Sequence, residues 1–410
     1  MSFISKTVAV LIASLLVEFY FSYKIVSSLK QVFNNVSRKE INKDVAFAFL
    51  FFNLFLIYLL VLQIYRSITG NPFPPLHQSA FFNYLIEYPF WLFFLLAIQC
   101  FLFFIILQIL KPISIFLFKK RKEKIKTYEA RLVLIITVFF ILYIPGRVIF
   151  DYNTISTRVV KYKKNDLPEN LQNFKITFIS DIHADYYTDS RRLQKFINDV
   201  NGTNPDLVLV GGDMISSGSQ YIDTAAVYLG KIKSKYGIYS CVGDHDFWAY
   251  GNDYSRSLSE ITDALGKQNI KMIDNGNEKI NVDSTIIGIT FITNAYVRTT
   301  PNYIVDSLSA KLDDPVLKIL VTHQPKSSTI NEGAKDGYDL LLAGHTHGGQ
   351  ITFLFPFKNL TPTMIETSYI KGDFQIGKMF MIVTRGLGMS IIPMRYNSTP
   401  EVTSIVLQNK

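Results

Sequence analysis

Five short groups of Asp, His and Gly recur along the C-terminal part of the chain, each placed where an apolar run stops. Asp181 and His183 come first, with one residue between them. Gly211, Gly212 and Asp213 follow, then Gly243, Asp244, His245 and Asp246, then Thr322 and His323, and finally Gly344, His345, Thr346 and His347. The chain has six His, and only His77 falls outside these groups. Carboxylate and imidazole together form the donor set of Mn, Fe and Zn sites, and the lack of thiolate argues against a structural Cys-type zinc site. A single His at the end of a strand is more often a packed side chain than a ligand. Five groups that all terminate apolar runs are a different matter, because chance does not cluster them so.

Residues this far apart meet only if the apolar runs are strands of one α/β domain, whose carboxyl ends share a rim. Strands are expected over 175–179, 207–210, 239–242, 285–289, 317–321 and 339–342, with 379–383 and 403–407 closing the fold. Amphipathic stretches at 190–200 and 221–233 read as helices, each opening near a capping residue. Gly211, Gly212 and Gly344 suit sharp turns out of a strand and close approach of backbone to a metal.

The ordered groups resemble the calcineurin-like metallophosphoesterase superfamily, whose pattern is Asp-x-His, Gly-Asp, Gly-Asn-His-Asp/Glu, His and Gly-His-x-His. The run 344–350, with Arg385-Gly386-Leu387-Gly388 and Pro400-Glu401, is similar to a membrane-tethered subgroup that includes UDP-diacylglucosamine pyrophosphatase-like enzymes and transmembrane metallophosphoesterases. The resemblance implies a four-layer α/β/β/α sandwich. It also implies two divalent transition metal ions (Mn, Fe or Zn), one held by Asp181, His183, Asp213 and His347 and the other by Asp213, Asp244, His323 and His345, with Asp213 bridging. Hydrolysis would proceed by attack of a metal-bridging hydroxide on phosphorus. His245 would protonate or stabilise the departing oxygen, with Asp246 orienting its ring. Asp244 departs from the pattern, which usually has Asn; its extra charge predicts a working site with changed metal preference. Arg385 and Arg395 are open to two readings, a bidentate contact to substrate phosphate or an ion pair within the fold.

Apolar content is concentrated ahead of these groups. At 410 residues two units are expected: a four-helix transmembrane region over 1–150, a linker over 151–172, and the metallophosphoesterase domain over 173–410. A membrane helix needs roughly 20 mostly apolar residues, and 7–26, 45–64, 90–110 and 132–149 meet that need, the last being interrupted by Pro145, Gly146 and Arg147. The first segment carries Glu18 and lacks a cleavage site, so it is read as a span and not as a signal peptide. Glu18 and Glu87 are isolated acids that make no relay, so a carrier is a minor reading.

Lys and Arg collect between spans one and two (Lys24, Lys30, Arg38, Lys39, Lys43) and between spans three and four, from Lys111 to Arg131, whereas the middle loop offers only Arg66. Basic loops stay cytoplasmic, which places both termini and the domain outside. Arg158, Lys161, Lys163 and Lys164 oppose that orientation. The net charge of +9 sits largely beside the apolar runs, where it meets anionic headgroups, so membrane lipids and not nucleic acid are the expected partner. Two Cys, both inside apolar runs, exclude a disulfide framework. The leading function is hydrolysis of a phosphodiester, pyrophosphate or phosphomonoester in a membrane-associated or lipid-linked substrate, since a tether raises the local concentration of such a substrate. A UDP-2,3-diacylglucosamine-type substrate requires a cytoplasmic domain. A metal-binding sensor that has lost catalysis is the alternative of another class, favoured only by Asp244.

Overall fold

A computed structural model describes residues 3–33, 37–69 and 79–410 of the protein; His77 lies outside the described residues. The chain divides into two compact units. One holds Met1–Ile149 and Phe353–Asn359, the other Phe150–Thr352 and Leu360–Lys410.

Among the described residues, three helices are long and apolar enough to cross a membrane: Ile12–Val32, Ala80–Leu117 and Lys119–Asn153. The expected span at 45–64 is not one straight helix. Lys39–Phe52 and Leu54–Thr69 meet at 50° and pass the length test only as a pair. The bend falls at Asn53, whose Nδ2 donates both to Phe49 O (3.0 Å) and to Glu18 Oε2 (2.9 Å), so a polar side chain inserts where the helix breaks. Glu18 thereby has a partner inside the apolar unit. The expected interruption at Pro145 does not occur, because the helix Lys122–Asn153 continues through it. Lys24 and Lys111 both reach Glu129 at 2.6 Å, drawing three helices together through one carboxylate. Phe353–Asn359, expected within the catalytic domain, clusters with the helices instead. Gln99 is fully buried, donates to Leu354 O (2.8 Å) and accepts from Leu354 N (2.9 Å).

The second unit contains twelve strands: β1 (Ser156–Lys164), β2 (Lys175–Ile179), β3 (Leu207–Val210), β4 (Ile238–Cys241), β5 (Ile270–Ile273), β6 (Gly276–Val282), β7 (Thr285–Ile292), β8 (Leu317–Thr322), β9 (Leu340–Ala343), β10 (Gly372–Ile376), β11 (Met379–Val383) and β12 (Glu401–Asn409). They form two six-stranded sheets, ordered β1-β12-β2-β3-β4-β5 and β10-β11-β9-β8-β7-β6. In the first, β2 to β5 run parallel; in the second, β7, β8, β9 and β11 do. Their near-continuous apolar sequences follow from burial on both faces. Ile176, Phe178, Leu207 and Leu209 pack with Ile289, Phe291, Ile319 and Leu342 between the sheets. On the outer side of the first sheet, Val208 and Val210 pack with Phe196 and Ile197, Ala226 and Leu229, and Ile261 and Leu265 of three helices. On the outer side of the second, Leu320, Leu341 and Met381 pack with Val305 and Ile330. The result is helix, sheet, sheet and helix in four layers.

The expected linker is not one throughout. Residues 156–164 form β1, paired in parallel along the whole of β12. Of the basic residues there, Arg158 pairs with Asp373 (2.6 Å) and Glu401 (3.0 Å), and Lys164 with Asp339 (2.5 Å), so these cations serve the folded domain. The helix expected at 190–200 is Ser190–Gly202, capped by Asp189, which accepts from Arg191 N and Arg192 N. The one expected at 221–233 is shorter, Ile222–Leu229, and stops at Gly230.

Candidate metal centre

Each of the five groups leaves the carboxyl end of a parallel strand: 181–183 after β2, 211–213 after β3, 243–246 after β4, His323 after β8, and 344–347 after β9. Successive residues of an extended strand point to opposite faces, so aiming several at one point requires a kinked backbone. Asp181, His183, Asp213, His345 and His347 all have positive φ, from 48° to 70°. Each such residue costs about 1 kcal/mol or more. The loops are held by one another: Asp181 N donates to Gly212 O (3.0 Å), His183 N to Asp213 O (3.1 Å), and Gly344 N to His323 O (3.0 Å). Glycine permits this closeness. A Cβ on Gly344 would lie 1.9 Å from Ser180 Oγ, and one on Gly243 would lie 2.2 Å from Asp213 Oδ1.

The side chains converge as two groups around one carboxylate. Ligand atoms of Asp181, His183 and His347 lie within 4.8 Å of one another, as do those of Asp244, His323 and His345. Between them, Asp213 Oδ2 is 3.4 Å from His183 Nε2 and 3.3 Å from His323 Nε2. His183 Nε2 faces His347 Nε2 at 3.1 Å, so no more than one of them carries a proton. His323 Nδ1 donates to Gly211 O (2.7 Å), which aims Nε2 at the carboxylates of Asp213 and Asp244 with no hydrogen-bond partner of its own. Two buried carboxylates that converge on one imidazole nitrogen call for positive charge between them, which a proton on Nε2 supplies in the metal-free site and a metal ion would supply in its place. The donor set therefore fits two divalent ions of the Mn, Fe or Zn type.

Comparison with known proteins agrees with this geometry. The family model for calcineurin-like phosphoesterases matches residues 174–349. That stretch is a calcineurin-like phosphoesterase domain. Uncharacterized metallophosphoesterase YkuE of Bacillus subtilis is 29% identical over 262 residues, 62% of this chain and 86% of the relative. A Campylobacter jejuni metallophosphoesterase is 29% identical, over 63% of this chain and 65% of its own. A Danio rerio protein described as a transmembrane protein with metallophosphoesterase domain is 30% identical over 253 residues, 59% of this chain and 55% of its own length. The chain thus spans little more than half of that relative.

Within the phosphoesterase domain, burial followed by the charge of neighbouring imidazoles holds His183 well below the ordinary imidazole range. Burial and then the Arg395 guanidinium do the same to His347. Both are thus neutral donors, as ligation requires. Burial opposes charge on Asp244, but the imidazoles of His323 and His345 beside it, 3.3 and 3.0 Å away, outweigh it and hold the carboxyl well below its usual range. Burial likewise opposes protonation of His345, and its bonds to Asp244 (Nδ1, 3.0 Å) and Glu366 (Nε2, 3.1 Å) outweigh that, raising it to about 9. His323 is also raised well above the ordinary value, against burial, by Asp213 and Asp244.

Two expectations change, for Asp246 and Arg395, and one open reading, that of Arg385, is resolved. Asp246 does not orient the His245 ring; its carboxylate accepts from Asp213 N (3.0 Å), Met214 N (2.8 Å) and Gly243 N (2.8 Å), tying two ligand loops together. The His245 ring is held instead by Ser216 O at Nδ1 and by Ser390 Oγ, 3.2 Å from Nε2. Of the two readings of Arg385, the ion pair within the fold is the one seen, with Glu401 at 2.7 and 2.9 Å and Ser156 Oγ accepting at 2.9 Å. Arg395 is fully buried and donates to the carbonyls of Gly388, Arg385, Ser398 and His347. Sequence reasoning missed Glu366 and Tyr296, whose hydroxyl donates to Glu366 at 2.8 Å while Glu366 holds His345. Neither belongs to a motif, and both lie in irregular segments.

The Asp at 244 is explained by its surroundings. Its Oδ1 accepts from Tyr296 N and its Oδ2 from Gln324 Nε2 (2.6 Å), so both oxygens face donors. Asp244→Asn would turn an amide N–H toward one of those donors. It is expected to weaken loading of the Asp244, His323 and His345 group by about tenfold or more, read by metal titration; unchanged metal dependence and rate would show that the carboxylate is incidental. Loading should also release protons. His345 carries a proton below about pH 9 and must lose it to ligate, so affinity should rise as pH increases toward that value. Calorimetry in buffers of different ionisation enthalpy measures the release, and uptake of metal at pH 7 without it contradicts this arrangement.

Proposed function

We propose that this protein is a membrane-anchored phosphoric ester hydrolase that holds two divalent transition metal ions and cleaves a phosphodiester, pyrophosphate or phosphomonoester bond in a membrane-associated or lipid-linked substrate. The observation that carries this reading is Asp213 between two carboxylate–imidazole groups, each a cation site in its donor chemistry. Asp181, His183 and His347 would hold one ion and Asp244, His323 and His345 the other, with Asp213 shared. When bound, such a pair supplies Lewis acidity toward water and the phosphoryl oxygens.

The chain's own groups supply the rest. A cavity of about 310 Å³ opens onto Asp213, Asp244, His245 and His345, large enough for a phosphate ester. His245 Nδ1 is engaged by Ser216 O, which leaves Nε2 to face the cavity wall at Ser390. As water adds its oxygen to phosphorus and releases a proton, the bond to the leaving oxygen breaks, and His245 in its imidazolium form, with Nδ1–H on Ser216 O, gives the Nε2 proton to that oxygen. Trp248, packed edge-on to the His245 ring at 4.6 Å, limits the ring's rotation. A metal-binding sensor was favoured only by Asp244, and Tyr296 and Gln324 now account for that residue.

The anchor comprises the three apolar helices, with the pair bent at Asn53 as a fourth span. Both termini and the catalytic domain then face the extracytoplasmic side, because the two basic loops share the cytoplasmic face. A cytoplasmic domain would instead bring forward a UDP-2,3-diacylglucosamine-type substrate.

His245→Ala should lower kcat toward bis(p-nitrophenyl) phosphate with Mn²⁺ by about a hundredfold or more while leaving metal content unchanged; no turnover by the metal-loaded native protein would favour the sensor. Protease added to intact spheroplasts should cleave the domain, and protection there would reverse the orientation.

A further inference from the structure

The cavity over the metal centre has two kinds of wall. One carries Asp213, Asp244, His245 and His345; the other carries Ile351, Pro362, Ile391 and Ile392. Ile391 leaves 94% of its surface exposed, and Ile365, on the short turn Pro362–Ile365 that precedes Glu366, leaves 90%. Glu366 bonds His345, so this turn is fixed to the centre as well.

Ile391 is also strained. Its φ of +65° lies in the left-handed region, where a β-branched side chain is an outlier. Nothing in the packing of Ile391 offsets that strain, since its side chain projects into solvent. The backbone around it is held from below by Gln350. The Gln350 amide donates to Ser390 O (2.9 Å), Ile392 O (2.9 Å) and Met394 O (3.2 Å), and it accepts from Ser390 N (2.9 Å). One side chain thus ties together four backbone groups of a single loop, its two N–H groups shared among three carbonyls. The same loop places Ser390 Oγ beside His245 Nε2 and the Ile391 side chain at the adjacent rim. A free molecule gains nothing from a strained, exposed isoleucine held so firmly. A ligand with hydrocarbon next to its phosphate does, because its chain and Ile391 leave water together.

We propose that Ile391 and Ile392, with Ile351 and Pro362 beside them, form an apolar lip that takes the hydrocarbon chain of an amphiphilic phosphate ester while its phosphorus sits at the metal centre. The lip selects long-chain over short-chain esters. This rests on the phosphoesterase reading of the same cavity and names the substrate class for it: an ester whose chain begins within a few atoms of phosphorus.

The test uses the full-length protein in lipid nanodiscs, loaded with Mn²⁺, and p-nitrophenyl phosphodiesters whose second group is methyl, butyl or octyl. Each methylene withdrawn from water is worth about fourfold, so kcat/KM should climb steeply from methyl to butyl and level off once the chain outruns the lip. Ile391→Gly removes the side chain at a backbone conformation that glycine adopts freely, so the variant should melt no lower than the native protein. It should cut the octyl-to-methyl ratio by about tenfold. A flat series in the native protein overturns the lip. An equally steep series in native protein and variant also overturns it, because partition into the bilayer then explains the preference. Should no ester be turned over, the phosphoesterase reading fails, and calorimetry decides the lip separately. Octylphosphonate binding more tightly than methylphosphonate, with the difference lost in Ile391→Gly, keeps it; equal affinities end it.

Discussion

Asp213 is buried among imidazoles and carboxylates that repel or attract it across a few ångströms, and the whole domain is arranged to tolerate this. Its Oδ1 accepts from His245 N at 2.7 Å, while Oδ2 stands between His183 and His323. Charges out of water are costly unless paired. A cation on each side of Asp213 would balance the buried carboxylates of Asp181, Asp213 and Asp244. Strand order enforces the arrangement. With β2, β3 and β4 adjacent, Asp181, Asp213 and Asp244 line up in sequence along one rim, and β8 and β9 of the facing sheet bring His323, His345 and His347 to meet them. Packing of the two sheets through Phe178, Leu209 and Phe291 is therefore also assembly of the site.

The same requirement explains why the loops are strained. Five donors stand at positive φ, a conformation most side chains avoid. They persist because neighbouring loops lock one another, with the Asp246 carboxylate bonding three amides and the Arg395 guanidinium filling carbonyls behind His347. Buried polar groups that satisfy backbone in this way give a rigid shell around the ligands, and a metal centre needs such rigidity.

The membrane unit follows a similar rule in a different solvent. Polar groups among apolar helices must find partners inside the protein. Glu18 finds Asn53, Gln99 finds the backbone of Leu354, and Glu129 finds Lys24 and Lys111. Glu18, in the sequence an isolated acid that makes no relay, is a helix-to-helix tie.

The metal-binding residue types, their order and the strands that end in them were legible in the chain, because buried parallel strands leave unmistakable apolar runs and glycine marks the turns beyond them. The apolar segments ahead of residue 150 were legible for the same reason: continuous hydrophobicity needs no partner to be recognised. Tertiary structure alone decided the rest. The strand Ser156–Lys164 has only the weak alternation of a sheet edge, and pairing with β12 makes it a strand. Whether Arg385 meets phosphate or Glu401, and whether Asp246 turns to the His245 ring or to backbone amides, depends on side-chain direction, which spacing does not fix. Glu366, Tyr296, Gln324 and Gln350 act on the site from irregular segments, so their contribution exists only once the loops have folded against one another. Periodicity along a chain records burial, whereas a hydrogen bond between distant loops depends on direction and distance in space.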